Sequence, residues 1–246
     1  MPQRPVPTPT DATEIDRRAA VPLGQAAVGW GAGWLLGALV GSAFLASSGH
    51  EKVSEAGPWW ILLSSVCLWV PLVAVAFVLG RRFGTGRLDV DYGLSFRRID
   101  LAGIPIGVGL QVIVLQLVYW PLHELWPGTF DPDDVERRAR EIWDSASGVG
   151  VVALVFVVVV GAPLVEELVY RGLLQGALVR KIGPALGLAA AAAWFAAVHQ
   201  QAVELPGLFV VGLVFGGGML VTRRLGLSVL THMAFNATGL ALVAMR

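Results

Sequence analysis

Charge, lysine and cysteine are all scarce in this 246-residue chain, and each scarcity excludes something. Only 15% of residues are charged, 55% are hydrophobic and the mean hydropathy is +0.68, which excludes an ordinary soluble domain of this length and points to a bilayer protein. Eighteen basic residues balance eighteen acidic ones, so no overall charge draws the chain to nucleic acid or to acidic lipid. Lys52 and Lys181 are the two lysines against sixteen arginines, a skew that reads as genomic bias. With Cys67 as the single cysteine, an intramolecular disulfide and a thiolate metal cluster are both excluded.

What is abundant is apolar sequence in long runs. Residues 1–20 are polar, hold four prolines and lack apolar periodicity, which reads as a disordered cytoplasmic tail. Seven segments then follow at about 22–47, 58–80, 101–125, 148–181, 184–200, 205–222 and 225–245, against the ~30 Å hydrocarbon core that a span must cross. The first is too long for a signal-peptide core and has six successors. The expected fold is an all-α polytopic transmembrane helical bundle of about seven spans. Its expected parts are the tail 1–20, three N-terminal helices with their loops over 21–147, and a four-helix core over 148–246.

The fourth run has thirty-four residues and would be ~51 Å long if straight, so it must protrude, tilt or break, with Pro163 and Gly172 as candidate break points. Twelve Lys or Arg fall in the tail, the 81–100 loop and the 180–183 and 223–224 turns, against five on the opposite side. The positive-inside rule therefore places the N-terminus in the cytoplasm and the C-terminus outside. Gly29, Gly33, Gly37 and Gly41 recur every fourth residue, a pattern that lets a second helix approach closely. Trp59, Trp60, Trp120 and Trp126 lie near span ends, as an aromatic belt requires. Arg137 to Trp143 reads either as a short surface helix or as a solvated loop.

Ionisable side chains inside spans are costly, and here they concentrate in the last four. Glu166, Glu167 and Arg171 lie on the fourth span, His199 on the fifth, and His232 with Asn236 on the seventh. Glu167 and Arg171 stand i,i+4 in the order that favours an ion pair. That leaves Glu166, about 100° round the helix, to face the bundle interior. Phe195 and His199 share the i,i+4 spacing, as do His232 and Asn236. The midpoint of 166 and 199 falls in the turn Lys181-Ile182-Gly183-Pro184, so antiparallel helices would bring both residues to one level ~24 Å from it. His232 counts only ~12 Å from the Arg223-Arg224 turn, which conflicts with a straight hairpin. His123-Glu124-Leu125-Trp126-Pro127 is no HExxH zinc motif, and His123 reads as structural; His50 beside Glu51 reads as a solvated loop residue. No span serine pairs with His199 or His232 in the manner of a triad.

The strings EELVYRG at 166–172, WFAAVHQ at 194–200 and THMAFNATG at 231–239 resemble, in order, the EExxxR, FxxxH and HxxxN motifs of the CPBP intramembrane proteases. That family holds the type II CAAX prenyl endopeptidases and bacterial Abi relatives. The resemblance covers roughly the last hundred residues; the first three spans match only as generic helices. It implies that Glu166 with His199 activates a water, that His232 and Asn236 stabilise the oxyanion, and that Glu167 and Arg171 hold the site in register. Glu166, His199 and His232 could instead bind a divalent metal such as Zn2+. The implied substrate is a membrane-associated protein or peptide and the implied location a bacterial cytoplasmic membrane, with no nucleic-acid partner. Two other readings of the same residues stand beside it: a proton or ion relay, as in transporters, and a non-catalytic bacteriocin-immunity-like scaffold.

Overall fold

The computed structural model describes residues 18–47, 49 and 57–245, with only the backbone of 132–136 and 138. The predicted tail falls outside the described residues up to residue 17, as do His50, Glu51, Lys52 and Arg246. Helices account for the architecture, and no strand occurs among the described residues. In chain order they are α1 (Leu23–Ser47), α2 (Pro58–Phe83), the single turn α3 (Leu88–Asp91), α4 (Arg98–Leu125), α5 (Pro132–Asp144), α6 (Val149–Ile182), α7 (Pro184–Ala197), α8 (Leu205–Thr222) and α9 (Leu225–Ala244). Six of these are long and apolar enough to cross a bilayer. Leu36, Val70, Ile113 and Leu117 are all more than half exposed on the outer faces of such helices. Such a surface suits lipid rather than water. The chain is a multi-pass membrane protein.

The expected fifth span is shorter than its apolar run. α7 ends at Ala197 after 14 residues, ~21 Å of helix, because its last turn tightens. The N–H groups of His199 and Gln200 reach back only three residues, to Ala196 and Ala197, and Gln200 takes a left-handed φ of 56°. His199 therefore sits in the turn after the helix rather than on it.

The glycine stripe of α1 packs against α2. A Cβ added at Gly37 would lie 2.6 Å from Leu68 Cα, and one at Gly29 2.8 Å from Val75 Cγ1. A second four-residue glycine step lies on α4. A Cβ at Gly103 would meet Thr231 N at 2.7 Å, and one at Gly107 would run into the Thr231 carbonyl. α4 thus lies directly on the backbone of α9 beside His232. α5 is the helical form of the Arg137–Trp143 segment, and it packs on α9.

The basic turns meet at one end of the bundle. Arg18 donates to the Arg223 carbonyl, Ala20 N–H to Phe83, Arg180 to Val21 at 2.9 Å and Leu225 N–H to Gly93 at 2.8 Å. Arg224 pairs with the buried Asp100 at 2.7 Å. This is the end that the positive-inside rule assigns to the cytoplasm.

α6 breaks at neither Pro163 nor Gly172. It runs unbroken for 34 residues, with a widened π turn over Phe156–Gly161 just before Pro163 and a second over Glu167–Gln175 that contains Gly172. The first turn lets the helix accept a proline, which has no N–H and crowds the turn before it. The second lies where Gly172 closes on Tyr92, 2.9 Å from its Cβ to a Cβ added at the glycine. Since π turns pack more residues into a given length, residue counts along α6 overstate depth by a few Å.

Candidate active site

Glu167 is the hub of the polar cluster. Its side chain is wholly buried, opens the second π turn of α6, and reaches two partners. Oε2 lies 3.3 Å from Arg171 Nε, the expected i,i+4 pair, and Oε1 lies 2.9 Å from His232 Nδ1 on α9. A carboxylate accepts, so Nδ1 carries the proton in this contact, and Nε2 is the ring atom left facing outward. It faces Glu166, whose Oε2 is 3.9 Å away. Glu166 remains 28% exposed, whereas His232 is 5% exposed. The two adjacent glutamates therefore bracket one imidazole from both nitrogens, one carboxylate buried and one accessible.

Aromatic rings fix the cluster from behind. Phe215 of α8 stacks on His232 at 4.5 Å between centroids, and Phe195 of α7 meets it edge-on at 6.1 Å. The Arg171 guanidinium lies 4.2 Å from the Phe195 centroid and 5.5 Å from that of Phe215, so the two ring faces stabilise a cation that is 1% exposed. Both of its Nη atoms, and Oε1 of the nearby Gln175, lack hydrogen-bond partners, and donors and acceptor of this kind suit internal water. Gln175 Nε2 donates to the Gly216 carbonyl at 2.9 Å and so ties α6 to α8.

His199 joins the cluster through Phe195. Its Nδ1 is 2.7 Å from the Phe195 carbonyl, which can only accept, so that nitrogen donates and Nε2 is free. The two rings meet edge-on at 4.8 Å. Phe195 itself packs on Tyr170 and Arg171, one turn short of the glutamates, as the antiparallel count requires. His199 makes no ion pair with Glu166; the imidazole within 4.0 Å of Glu166 is that of His232.

Asn236, one turn beyond His232, donates through Nδ2 to the Val158 carbonyl at 2.8 Å. That acceptor is available because of Pro163. In the first π turn the Ala162 N–H goes to Val157, so the next donor in that register is residue 163, a proline without an N–H. Asn236 fills the vacancy and locks α9 to α6, while its second N–H stays unassigned. Neither the orphan carbonyl nor Phe215 was foreseen from the sequence, although Pro163 was the signal for the first.

Among the described residues no group of three or more His, Cys, Asp or Glu side chains is arranged to hold a metal ion. Glu166, His199 and His232 do not form such a set as they stand. A cavity of about 470 Å³ opens beside the cluster between α4 and α9, with Asn236 and Val158 in its wall.

Comparison with known proteins adds one match. Residues 148–238 fit the family described as type II CAAX prenyl endopeptidase Rce1-like, a segment that contains Glu166, Glu167, Arg171, Gln175, His199, His232 and Asn236. No curated protein and no solved structure matches the chain.

Proposed function

From the membership of residues 148–238 in the Rce1-like CAAX protease family, whose members are membrane endopeptidases, we propose that this chain hydrolyses a peptide bond of a membrane-associated protein or peptide with a water activated by Glu166. The observation that carries the reading is the placement of the accessible Glu166 carboxylate 3.9 Å from Nε2 of an imidazole whose other nitrogen is bound to a buried carboxylate. That gap is too wide for a direct hydrogen bond and suits a water touching both groups. Glu166 takes one proton from the water as its oxygen attacks the scissile carbonyl carbon. The same proton then passes to the leaving nitrogen as the carbon–nitrogen bond breaks, which restores the carboxylate.

The neighbours have supporting roles. His199 offers its free Nε2 to the water or to the proton in transit. The second N–H of Asn236 serves the oxyanion, and His232 joins it as the imidazolium, when Nε2 has taken a proton and can donate. Glu167 holds the His232 tautomer, and Arg171 holds Glu167, which makes both positioning residues. The site belongs to a bacterial cytoplasmic membrane with its basic end in the cytoplasm.

Cleavage of a membrane-tethered reporter peptide by the full chain in liposomes tests the proposal. Glu166→Gln and His199→Ala should each lower the rate by about 10²- to 10⁴-fold while the helical signal and thermal unfolding stay near wild type. Undiminished cleavage in both variants would sink the reading. Proton flux that Glu166→Gln abolishes, without any hydrolysis, would mark a relay instead. Metal analysis of the purified protein, with cleavage measured after chelation, decides whether Zn2+ or another ion takes part.

A further inference from the structure

The cavity between α4 and α9 contains polar groups that the hydrolytic cluster does not use. Gln111 and Gln116 of α4 both line it, together with Tyr119, Glu204 at the start of α8, and Asn236 and Gly239 of α9. Gln111 lies thirteen residues into α4, ~20 Å from Arg98 and so near mid-membrane. Neither glutamine amide has a hydrogen-bond partner among the described residues. A primary amide without a partner in hydrocarbon is costly to keep.

The backbone of α4 is built to bring these two amides together. Five residues apart on a regular α-helix, they would point ~140° away from each other. The π turn over Leu110–Val114 changes this, since its i→i+5 register returns residues five apart to the same side. Across the cavity, Gly239 presents bare backbone: even a Cβ there would reach Gln111 Cδ at 3.4 Å. Asn236, one turn from His232, lines the same space.

We infer that this cavity is a subsite for an extended segment of peptide substrate, whose main-chain N–H and C=O groups pair with the side-chain amides of Gln111 and Gln116. The inference rests on the peptidase reading above and names its substrate form. Unwound peptide in a bilayer has unpaired N–H and C=O groups, and a primary amide supplies one donor group and one acceptor to match them. A lipid acyl chain of similar girth has nothing for the two amides to bind. The volume lies within the range of clefts that enclose a ligand, and Asn236 makes the space continuous with the wall of the reactive cluster.

The test uses full-length Glu166→Gln protein in lipid nanodiscs, so that binding is read without turnover. Three photoreactive probes carry the same benzophenone: a nine-residue peptide of valine, alanine and serine, the same peptide with alternate amides N-methylated, and a phosphatidylcholine labelled on its acyl chain. The unmodified peptide should label α4 and α9 at the cavity. N-methylation, or Gln111→Leu with Gln116→Leu, should weaken its half-maximal labelling about tenfold or more, the size expected for lost hydrogen bonds to a buried chain. Gly239→Leu, which fills the space against the Gln111 amide, should abolish it. Equal labelling by both peptides, retention in the glutamine double variant, or labelling by the lipid probe alone would each overturn the subsite. In otherwise wild-type protein, the glutamine changes should raise KM for the reporter peptide with kcat little altered. Unchanged KM with intact hydrolysis would remove the subsite and leave the peptidase reading standing; absent hydrolysis with selective peptide labelling would do the reverse.

Discussion

The pair α1–α2 and the core α6–α9 meet the same physical problem, close packing of apolar helices without a hydrophobic drive, and solve it in opposite ways. α1 and α2 use absence: a stripe of glycines lets backbone approach backbone, as at Gly37 on Leu68, and the residues that the stripe meets, such as Leu68, Leu72 and Val75, carry no charge. The core uses presence. Glu167, Arg171, Gln175, His232 and Asn236 cross-link its helices, and two π turns of α6 bring their partners within reach. Small-residue packing is stable and chemically silent. Polar cross-linking leaves orphaned atoms and an accessible carboxylate, and such costs in a bilayer are carried where there is chemistry to do.

The sharpest way to break this contrast is to remove one charge from the core. Arg171→Met leaves Glu167 buried without its cation, and should destabilise the protein by about 3–5 kcal/mol in detergent unfolding. Glu167→Gln in the same chain should restore much of the loss, because a neutral amide no longer needs the cation. Activity should stay low in the double variant, since an amide holds the His232 tautomer poorly. Full activity in it would mean that Glu167 is packing alone.

Glycine substitutions compare the two regions on equal terms. Gly37→Ala on α1 and Gly107→Ala on α4 each force a methyl into backbone, at Leu68 and at Thr231. Both should cost about 1–3 kcal/mol as overpacking. Peptide cleavage separates them: Gly37→Ala should leave kcat intact, whereas Gly107→Ala shifts the turn that carries His232 and should lower it. Equal kinetic effects would show that the N-terminal pair is part of the working site.

A smaller effect isolates the π turn. Pro163→Ala supplies an N–H that can reach the Val158 carbonyl, in competition with Asn236. The stability cost of Asn236→Ala should therefore shrink in the Pro163→Ala background, with a coupling of about 0.5–3 kcal/mol in a double-mutant cycle. Strict additivity would mean that the proline did not create the orphan acceptor.

These residues also mark how far the sequence could be read. Hydropathy located every membrane helix to within a few residues, and the glycine spacing of α1 foretold its contact, because both depend on local pattern alone. The Glu167–Arg171 pair was legible as i,i+4 spacing and survives in π geometry. The distribution of work within the site was not. Spacing paired Glu166 with His199, whereas the structure sets it against His232, a choice fixed by how α9 crosses α6. Period counting also assumes 3.6 residues per turn, so it could not see that α4 and α6 are locally wider, which is what aligns Gln111 with Gln116 and frees Val158 for Asn236.

Tyr92 is where the two regions join, and it carries the smallest expected effect. It lies just after α3, is 1% exposed, donates to the Ala76 carbonyl of α2 at 2.7 Å and covers Gly172 of α6. Burial first, and the adjacent Asp91 carboxylate second, push its phenol well above the ordinary value. In the folded chain Tyr92 therefore keeps its proton at a pH where the unfolded chain has lost it. Its stabilising contribution is fully present below about pH 10, the ordinary tyrosine value, and is lost as pH rises from there toward the folded value. Tyr92→Phe should cost about 1 kcal/mol near neutrality through the lost hydrogen bond. It should also flatten the fall in unfolding stability above about pH 10 relative to wild type. A variant as stable as wild type at neutral pH, with the same alkaline slope, would mean that α2 and α6 are held together by packing alone and that the hydroxyl adds nothing to the joint.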